Sequence, residues 1–284
     1  MSLYPDPDVL AQGPKELSNP GLVILVAQTP NGNKPVEYLE ELKRSGQISD
    51  YTWIPVSLKA NEQKSQWFEA INPNGTRSCI PILRRIPALL DNREGKKPLR
   101  VFESGAILTY LAQTYDKKFE FHFENPDLET EMNSWIHFQM GGHGPMQGQA
   151  NHFFRYAPEK IPYGIERYQN ETKRLFGVYE QQLAGAQDGG KKQDYLVGNK
   201  FSVADMMAHG WARACGWAGI DIKEFPHLEA WVERIDARPA VQAALKVPEQ
   251  DMVTKIKADP SLEEKMAKAS ASWVQQGNEA LKKK

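Results

Sequence analysis

Leu22-Val23-Ile24-Leu25-Val26, then Thr29-Pro30-Asn31-Gly32, then Pro35-Val36-Glu37-Tyr38-Leu39-Glu40-Glu41-Leu42-Lys43-Arg44 is the stretch that decides the fold. The first segment is a short, unbroken apolar run with β-branched members, bounded by turn residues. That pattern suits a buried strand. The second is a strong turn signal. The third carries apolar side chains at 38, 39 and 42 and basic residues in its last turn, which predicts a helix.

The same alternation continues outward. Tyr51 to Leu58 is rich in strand formers, and its Pro55 points to an edge or a bulge. A helix is expected around Ser65–Ala70. Ala88-Leu89-Leu90 and Leu99-Arg100-Val101-Phe102 read as strands around a turn at Asp91–Lys97, and Ser104–Tyr115 as an amphipathic helix. The order β-α-β-α-β-β-α predicts an α/β layer whose closing hairpin makes the sheet mixed. From Pro126 no strand pattern recurs. Helices are expected over Glu129–Met140, Ile165–Leu183, Leu228–Ile235 and Pro239–Leu245, and Ser202 with Asp205 forms a capping-box signature. The expected organisation is an irregular arm at 1–20, an α/β domain at 21–117, an all-helical domain at 127–248 and a charged tail at 249–284. The tail holds six acids and seven bases, so a solvated helix or partial disorder is expected.

Composition narrows the function classes. The 284 residues carry Lys+Arg 35 against Asp+Glu 36, a net charge of -1, so the basic surplus of a nucleic-acid footprint is missing. No run approaches the roughly 20 apolar residues that cross a bilayer. Residues 1–21 hold Asp6 and Asp8 and no apolar core of a secretory leader. Two cysteines, Cys79 and Cys215, make no disulfide framework, and a reduced, cytoplasmic protein is expected.

Four segments could carry chemistry. Thr29-Pro30-Asn31-Gly32 follows a strand and precedes a helix, where open α/β layers bind ligands. A thioredoxin-type redox site would have Cys-x-x-Cys here, and this chain has none, so a thiol used here must arrive with a ligand. The plain alternative is a turn with a helix cap. Ile86-Pro87-Ala88-Leu89 places a proline at the head of a strand; a cis bond would turn the neighbouring backbone toward a peptide-like ligand, and an edge strand starting in trans is the alternative. At Phe102-Glu103-Ser104-Gly105, Ser104 is a candidate N-cap. The amides of 104 and 105 with the helix dipole offer an anion site beside the Glu103 carboxylate. That combination suits an α-amino-acid head group; an ordinary cap is the alternative. Finally, the four glycines and the proline between Gly141 and Gly148 are expected to break the preceding helix. They lead into His152, Phe153, Phe154 and Tyr156, an apolar wall with polar edges or a kinked core helix. His143 and His152 lack a third ligand at usable spacing, so no metal is expected. Cys215 reads as core and Cys79 as a loop residue.

Taken together, Ile86-Pro87-Ala88-Leu89, Glu103-Ser104-Gly105-Ala106-Ile107 and the Ser202–Asp205 box resemble a glutathione transferase, with a thioredoxin-like N-terminal domain and an all-α C-terminal domain. Thr29-Pro30-Asn31-Gly32-Asn33-Lys34, Asn72-Pro73-Asn74-Gly75, Gly144-Pro145-Met146-x-Gly148-Gln149 and Ile161-Pro162-Tyr163-x-Ile165-Glu166-Arg167-Tyr168-Gln169 are similar to the class that holds the bacterial nu enzymes and the nitrogen-regulator-like, prion-related proteins. The resemblance spans about residues 22–247. It implies glutathione as co-substrate, with Glu103 and Ser104 on its γ-glutamyl head and Ile86, before a cis Pro87, pairing with its backbone. It further implies Gln63 at the glycyl end, Arg85 as a neighbouring contact, and Thr29 and Asn31 beside the sulfur. Arg167 resembles a residue that reaches glutathione from the other subunit of a homodimer. The chain departs from the family at Thr76–Arg84, about nine extra residues that contain a second Ile-Pro pair, Ile80-Pro81. Pro87 is chosen because Leu90-Asp91 continues the expected pattern.

The implied chemistry is thiolate formation without an encoded nucleophile. A free thiol with a pKa of about 8.5 is only about 3% ionised at pH 7. Lowering it by two units requires about 2.7 kcal/mol. A hydrogen bond to a charged acceptor supplies about 1.5–3 kcal/mol and a helix N-terminus about 0.3–2 kcal/mol. Asn31, Thr29 and the first helix therefore suffice. The partners expected are a small-molecule electrophile, disulfide or peroxide, with no nucleic acid, membrane or metal. A non-enzymatic regulator that binds a protein through the same fold is the rival reading.

Overall fold

The structure is a computed structural model that describes residues 4–58, 60–75, 85–187 and 189–282. It divides into two compact units: Met1–Tyr115 with Ala243–Asp251 and Gly277–Lys284, and Asp116–Gln242 with Met252–Gln276. The extra segment 76–84 and Cys79 within it lie outside the described residues.

In the first unit the arm is more regular than the sequence suggests. It forms helix α1 (Pro7–Leu10) and a 3-10 turn, Lys15–Ser18, because the Asp6 carboxylate caps the Asp8 amide at 3.0 Å and Leu17 is buried. Strand β1 (Gly21–Val26) runs into α2 (Pro30–Arg44), followed by β2 (Thr52–Pro55), α3 (Gln66–Ile71), β3 (Ala88–Asn92), β4 (Leu99–Phe102) and α4 (Ser104–Tyr115). The sheet order is β2-β1-β3-β4, with β1 parallel to β2 and the other pairs antiparallel. Pro55 thus lies on an edge strand, where its missing N–H leaves no gap in the ladder. Val23 and Leu25 point to one face, packing with Ile54, Phe68, Ile71 and Leu90. Strand alternation sends Leu22, Ile24 and Val26 to the other face, toward α2 and α4, whose Leu39, Leu42, Ile107, Leu108 and Leu111 are buried.

Register decides what gathers at one end of this sheet. Leu25 lies opposite Ala88, Ala88 opposite Phe102, and Val26 beside Pro55. The segments that follow β1, β2 and β4 and the one that precedes β3 therefore emerge together.

The second unit is helical: α5 (Pro126–Phe138), α6 (Gly144–Asn151), α7 (Pro162–Leu183), α8 (Val203–Arg213) and α9 (Pro226–Asp236). The Ser202–Asp205 capping box opens α8, with the Ser202 amide donating to Asp205 Oδ2 at 2.9 Å. The glycines at 141–148 do not break the chain path, contrary to the sequence expectation. Gln139–His143 and His152–Tyr156 form π-helical turns on either side of α6. Glycine makes the wider coil possible: a Cβ on Gly144 would sit 2.9 Å from Gln139 Nε2. Beyond α10 (Pro239–Ala244), the charged tail folds as α11 (Met252–Ala258) and α12 (Leu262–Lys282). It is held to the second unit by Arg155 with Glu263, and by Gln275 Nε2 donating to the Tyr156 carbonyl at 3.1 Å. Leu262, Met266 and Val274 of α12 are half-buried beside these hydrogen bonds.

Candidate functional site

Thr29 is the N-cap of α2. Its Oγ1 accepts from the Gly32 amide at 3.1 Å, and Pro30 occupies the first helical position, where a missing N–H costs nothing. Thr29-Pro30-Asn31-Gly32 is thus the first turn of the helix itself, and the helix starts five residues earlier than Pro35, where the apolar pattern begins. Asn31 stands in that turn, where helix N–H groups and the dipole favour an anion. Gly32 is sterically required, since a Cβ there would lie 2.4 Å from the Ala27 carbonyl oxygen.

Across the sheet end, the Ile86–Pro87 peptide bond is cis, with both residues buried and Arg85 exposed. The Asn72 side chain is buried and donates to the Arg85 carbonyl at 2.6 Å, while its Oδ1 accepts from the Asn74 amide at 2.9 Å. Asn74 in turn donates to Glu103 Oε1 at 2.8 Å. Glu103 has φ +71, in the left-handed region that a non-glycine residue rarely adopts. Its carbonyl accepts from the Ile107 amide at 2.9 Å, so Glu103 is the cap of α4, and Ser104 is the first helical residue rather than the N-cap. The Ser104 hydroxyl oxygen accepts from Lys34 Nζ at 3.4 Å. Lys34, in the second turn of α2, is 1% exposed; burial lowers its pKa to about 7 despite the pull of Glu103 and Glu37. Gln63 is buried in the 3-10 turn after β2, with its side-chain oxygen unpartnered among the described residues.

Thr29, Asn31, Gln63, Arg85, Ile86, Pro87, Glu103 and Ser104 all belong to the first unit, on the segments that meet at one end of its sheet. Arg167 belongs to the second unit, on α7, beside Tyr163, Glu166, Asn170 and Arg174 along an open groove. Sequence reasoning missed three residues of this end: Lys34, Asn72 and Asn74. Lys34 carries a signal in retrospect, since a cation near a helix N-terminus opposes the dipole and calls for a partner.

The glycine-rich segment resolves differently. His143 is fully buried and bonded to Tyr179 Oη at 3.1 Å and to Gln147 Oε1 at 2.8 Å, while Gln147 donates to the Trp211 carbonyl at 2.8 Å. With Gln147 oriented so, its Oε1 accepts from His143 Nε2. Cys215 is also enclosed, and burial pushes its thiol up to about 11. Among the described residues no group of three His, Cys, Asp or Glu could hold a metal, and no helix is long and apolar enough to cross a membrane.

Comparison with known proteins gives the following. The family model described as "Glutathione S-transferase, N-terminal domain" matches residues 37–113, and "Glutathione S-transferase, C-terminal domain" matches 164–239. The chain is 38% identical to the Disulfide-bond oxidoreductase YfcG of Escherichia coli, over 77% of this chain and 92% of that protein. It is 32% identical to the Transcriptional regulator URE2 of Saccharomyces cerevisiae, over 76% of this chain and 65% of that protein. A glutathione transferase homolog from Lodderomyces elongisporus, crystallised with two glutathiones per subunit, matches at a TM-score of 0.70 and 39% identity, covering 81% of this chain and 99% of that one.

Proposed function

The chain belongs to the glutathione S-transferase family, and from that premise we propose that it is a glutathione-dependent disulfide reductase whose reactive sulfur is supplied by glutathione. The observation that carries this reading is the sheet register, which gathers the cap of α2, the cis Ile86–Pro87 bond and the start of α4 at one end. A tripeptide bound there has neutral donors for its sulfur at Asn31 and Thr29. Its backbone pairs with Ile86, and its zwitterionic head finds a carboxylate at Glu103 and an anion site at Ser104. Gln63 serves the glycyl end, Arg85 is a neighbouring contact, and Arg167 reaches the ligand of the other subunit of a homodimer. Cys215 is the one free cysteine among the described residues, and a buried thiol with a raised pKa is a poor nucleophile.

The reaction balances without a protein thiol. The glutathione thiolate attacks one sulfur of a small disulfide; a mixed disulfide forms and the other half leaves as a thiolate. A second glutathione thiolate attacks the mixed disulfide at the glutathione sulfur, giving oxidised glutathione and releasing the second thiolate. Two glutathiones per subunit in the Lodderomyces elongisporus homolog and the name of the Escherichia coli relative support this choice over conjugation of an electrophile or reduction of a peroxide. Steady-state turnover on hydroxyethyl disulfide, compared with a chloronitrobenzene and with cumene hydroperoxide, tests it. Faster turnover of either of the latter two would replace the reading. The likeness to URE2 supports one other reading, a regulator without catalysis; retention on immobilised glutathione with no turnover of any thiol substrate would favour it.

A further inference from the structure

Beside β2, the edge strand of the sheet, lies a groove of about 470 Å3. Its walls are the arm, the strand itself and the segment that carries the 3-10 turn and α3, all within the first unit. Gly13 lets the arm lie directly on Trp67: a Cβ there would stand 2.9 Å from the indole and 2.6 Å from Leu17 Cδ1. Trp53 also lines the groove and is 42% exposed, a large apolar side chain left in water. Two carboxylates, Glu16 on the arm and Glu62 on the turn, are part of the lining, and no Lys, Arg or His among the described residues is. Glu62 Oε2 accepts from the Ser57 amide at 2.7 Å, which holds that carboxylate in place.

The strand edge adds further acceptors. The Val56 amide donates to the Val26 carbonyl at 2.8 Å. By strand alternation, Ile54 and Val56 turn their backbone groups to β1, and Trp53 and Pro55 turn theirs to the free edge. Pro55 has no N–H to give, so an added β-strand cannot continue a ladder past it. The groove therefore joins two carboxylates and two edge carbonyls with a single edge amide. A lining so rich in acceptors, with indole walls, calls for a donor-rich cation. Guanidinium offers five N–H donors and no acceptor, and it stacks on aromatic faces.

We propose that this groove docks an extended, arginine-bearing segment of a partner protein, with its guanidinium groups at Glu16 and Glu62 and its apolar stems against Trp53 and Trp67. The volume is that of a site for a drug-sized ligand, about 300–1,000 Å3, which takes a short run of residues and not one side chain alone. None of the residues assigned to glutathione lines the groove, so the proposal stands apart from the glutathione reading.

The test is fluorescence anisotropy of the full chain with a fluorescein-labelled hexapeptide, arginine at its second and fifth positions and alanine elsewhere, at about 0.15 M salt. Saturable binding is expected. The lysine version should bind about tenfold more weakly, because ammonium is more strongly hydrated and has no planar fork. The version with citrulline, a neutral isostere of arginine, should not bind. Glu16→Gln and Glu62→Gln should each weaken binding about tenfold, the range of a hydrogen bond to a charged group, and the double variant should abolish it. Glutamine at position 62 keeps an acceptor for the Ser57 amide. Trp53→Ala should weaken binding by a similar factor. Equal binding of the citrulline peptide, undiminished binding by the double glutamine variant, or no binding of the arginine peptide overturns the proposal. Competition by argininamide as strong as by the peptide also overturns it, in favour of a small-cation site. Thermal unfolding checks that each variant is folded; if Trp53→Ala is not, the glutamine variants and the citrulline peptide decide. Glutathione turnover is no part of the readout, so failure here leaves the glutathione reading intact.

Discussion

The side-chain amide of Asn74 donates to Glu103 Oε1 at 2.8 Å, across 29 residues of chain. This bond orients a carboxylate whose own backbone sits in the left-handed region. Positions of that kind cost about 1–3 kcal/mol and persist where the surroundings hold them. Asn74→Ala is expected to leave the fold intact and raise KM for glutathione about fivefold, the worth of roughly 1 kcal/mol, with kcat little changed. Asn74→Asp, which sets a second carboxylate against the first, should raise it further. An unchanged KM in both would remove Asn74 from the site.

In the proposed reaction Asn31 holds the glutathione sulfur as a thiolate. Asn31→Ala should move the pH–rate profile to higher pH and lower turnover at pH 7 by about 10- to 100-fold, the range of a hydrogen bond to a charged acceptor. The same variant should approach wild-type rates at high pH, where the thiol ionises unaided. A profile that drops without shifting would assign Asn31 to binding and not to the sulfur.

Thr29 and Gly32 make one cap between them. Thr29→Val should lower stability by about 1 kcal/mol, a fall of roughly 2–4 °C in Tm for a chain of this size, and Thr29→Ser should recover it. Gly32→Ala should be the more damaging, because its Cβ meets a backbone oxygen and not a movable side chain. Thermal unfolding of the three variants checks the order.

Asp205 gives a pH dependence with a definite sign. Burial pushes its carboxyl up to about 6, against the hydrogen bonds from the Leu196 amide, Trp231 Nε1 and Ser202 that pull it down. Its folded pKa lies above the ordinary 3.8, so its contribution to stability is full below pH 3.8 and is lost as pH rises through about 6. The difference in urea midpoint between the wild-type protein and Asp205→Asn should therefore narrow or reverse between pH 4 and pH 7, to the disadvantage of the wild type. Parallel profiles would contradict this assignment.

Glu180 ties two helices of the second unit. Its carboxylate accepts from the Leu228 amide at 2.8 Å and the His227 amide at 3.1 Å, at the start of α9, which has no side-chain cap of its own. Glu180→Ala should cost about 2 kcal/mol by leaving these donors unpaired, read as a lower urea midpoint with an unchanged slope. A midpoint within experimental scatter of the wild type would show that water replaces the carboxylate.

Local pattern was enough for the strand-helix order, the edge position of Pro55 and the place of Glu103-Ser104, because hydrophobic period, proline and glycine act within a few residues. It also showed that the turn at Thr29–Gly32 carries no Cys-x-x-Cys pair. It failed at Gly141–Gly148, where glycine widened a helix instead of ending it; at the tail it left a solvated helix and partial disorder both open, and the tail is helical. Both outcomes depend on what packs alongside.

The amino-acid order by itself determined an α/β part followed by an all-helical part, while the cis bond at Ile86–Pro87 and the start of α2 at Pro30, capped by Thr29, came from the structure. Only the tertiary structure decided that Lys34 is sealed behind Ser104 and that Asn72 and Asn74 reach Arg85 and Glu103. A helix dictates which face a lysine occupies, but its protonation is set by the water that neighbouring elements exclude, and those neighbours lie some 70 residues away in the chain.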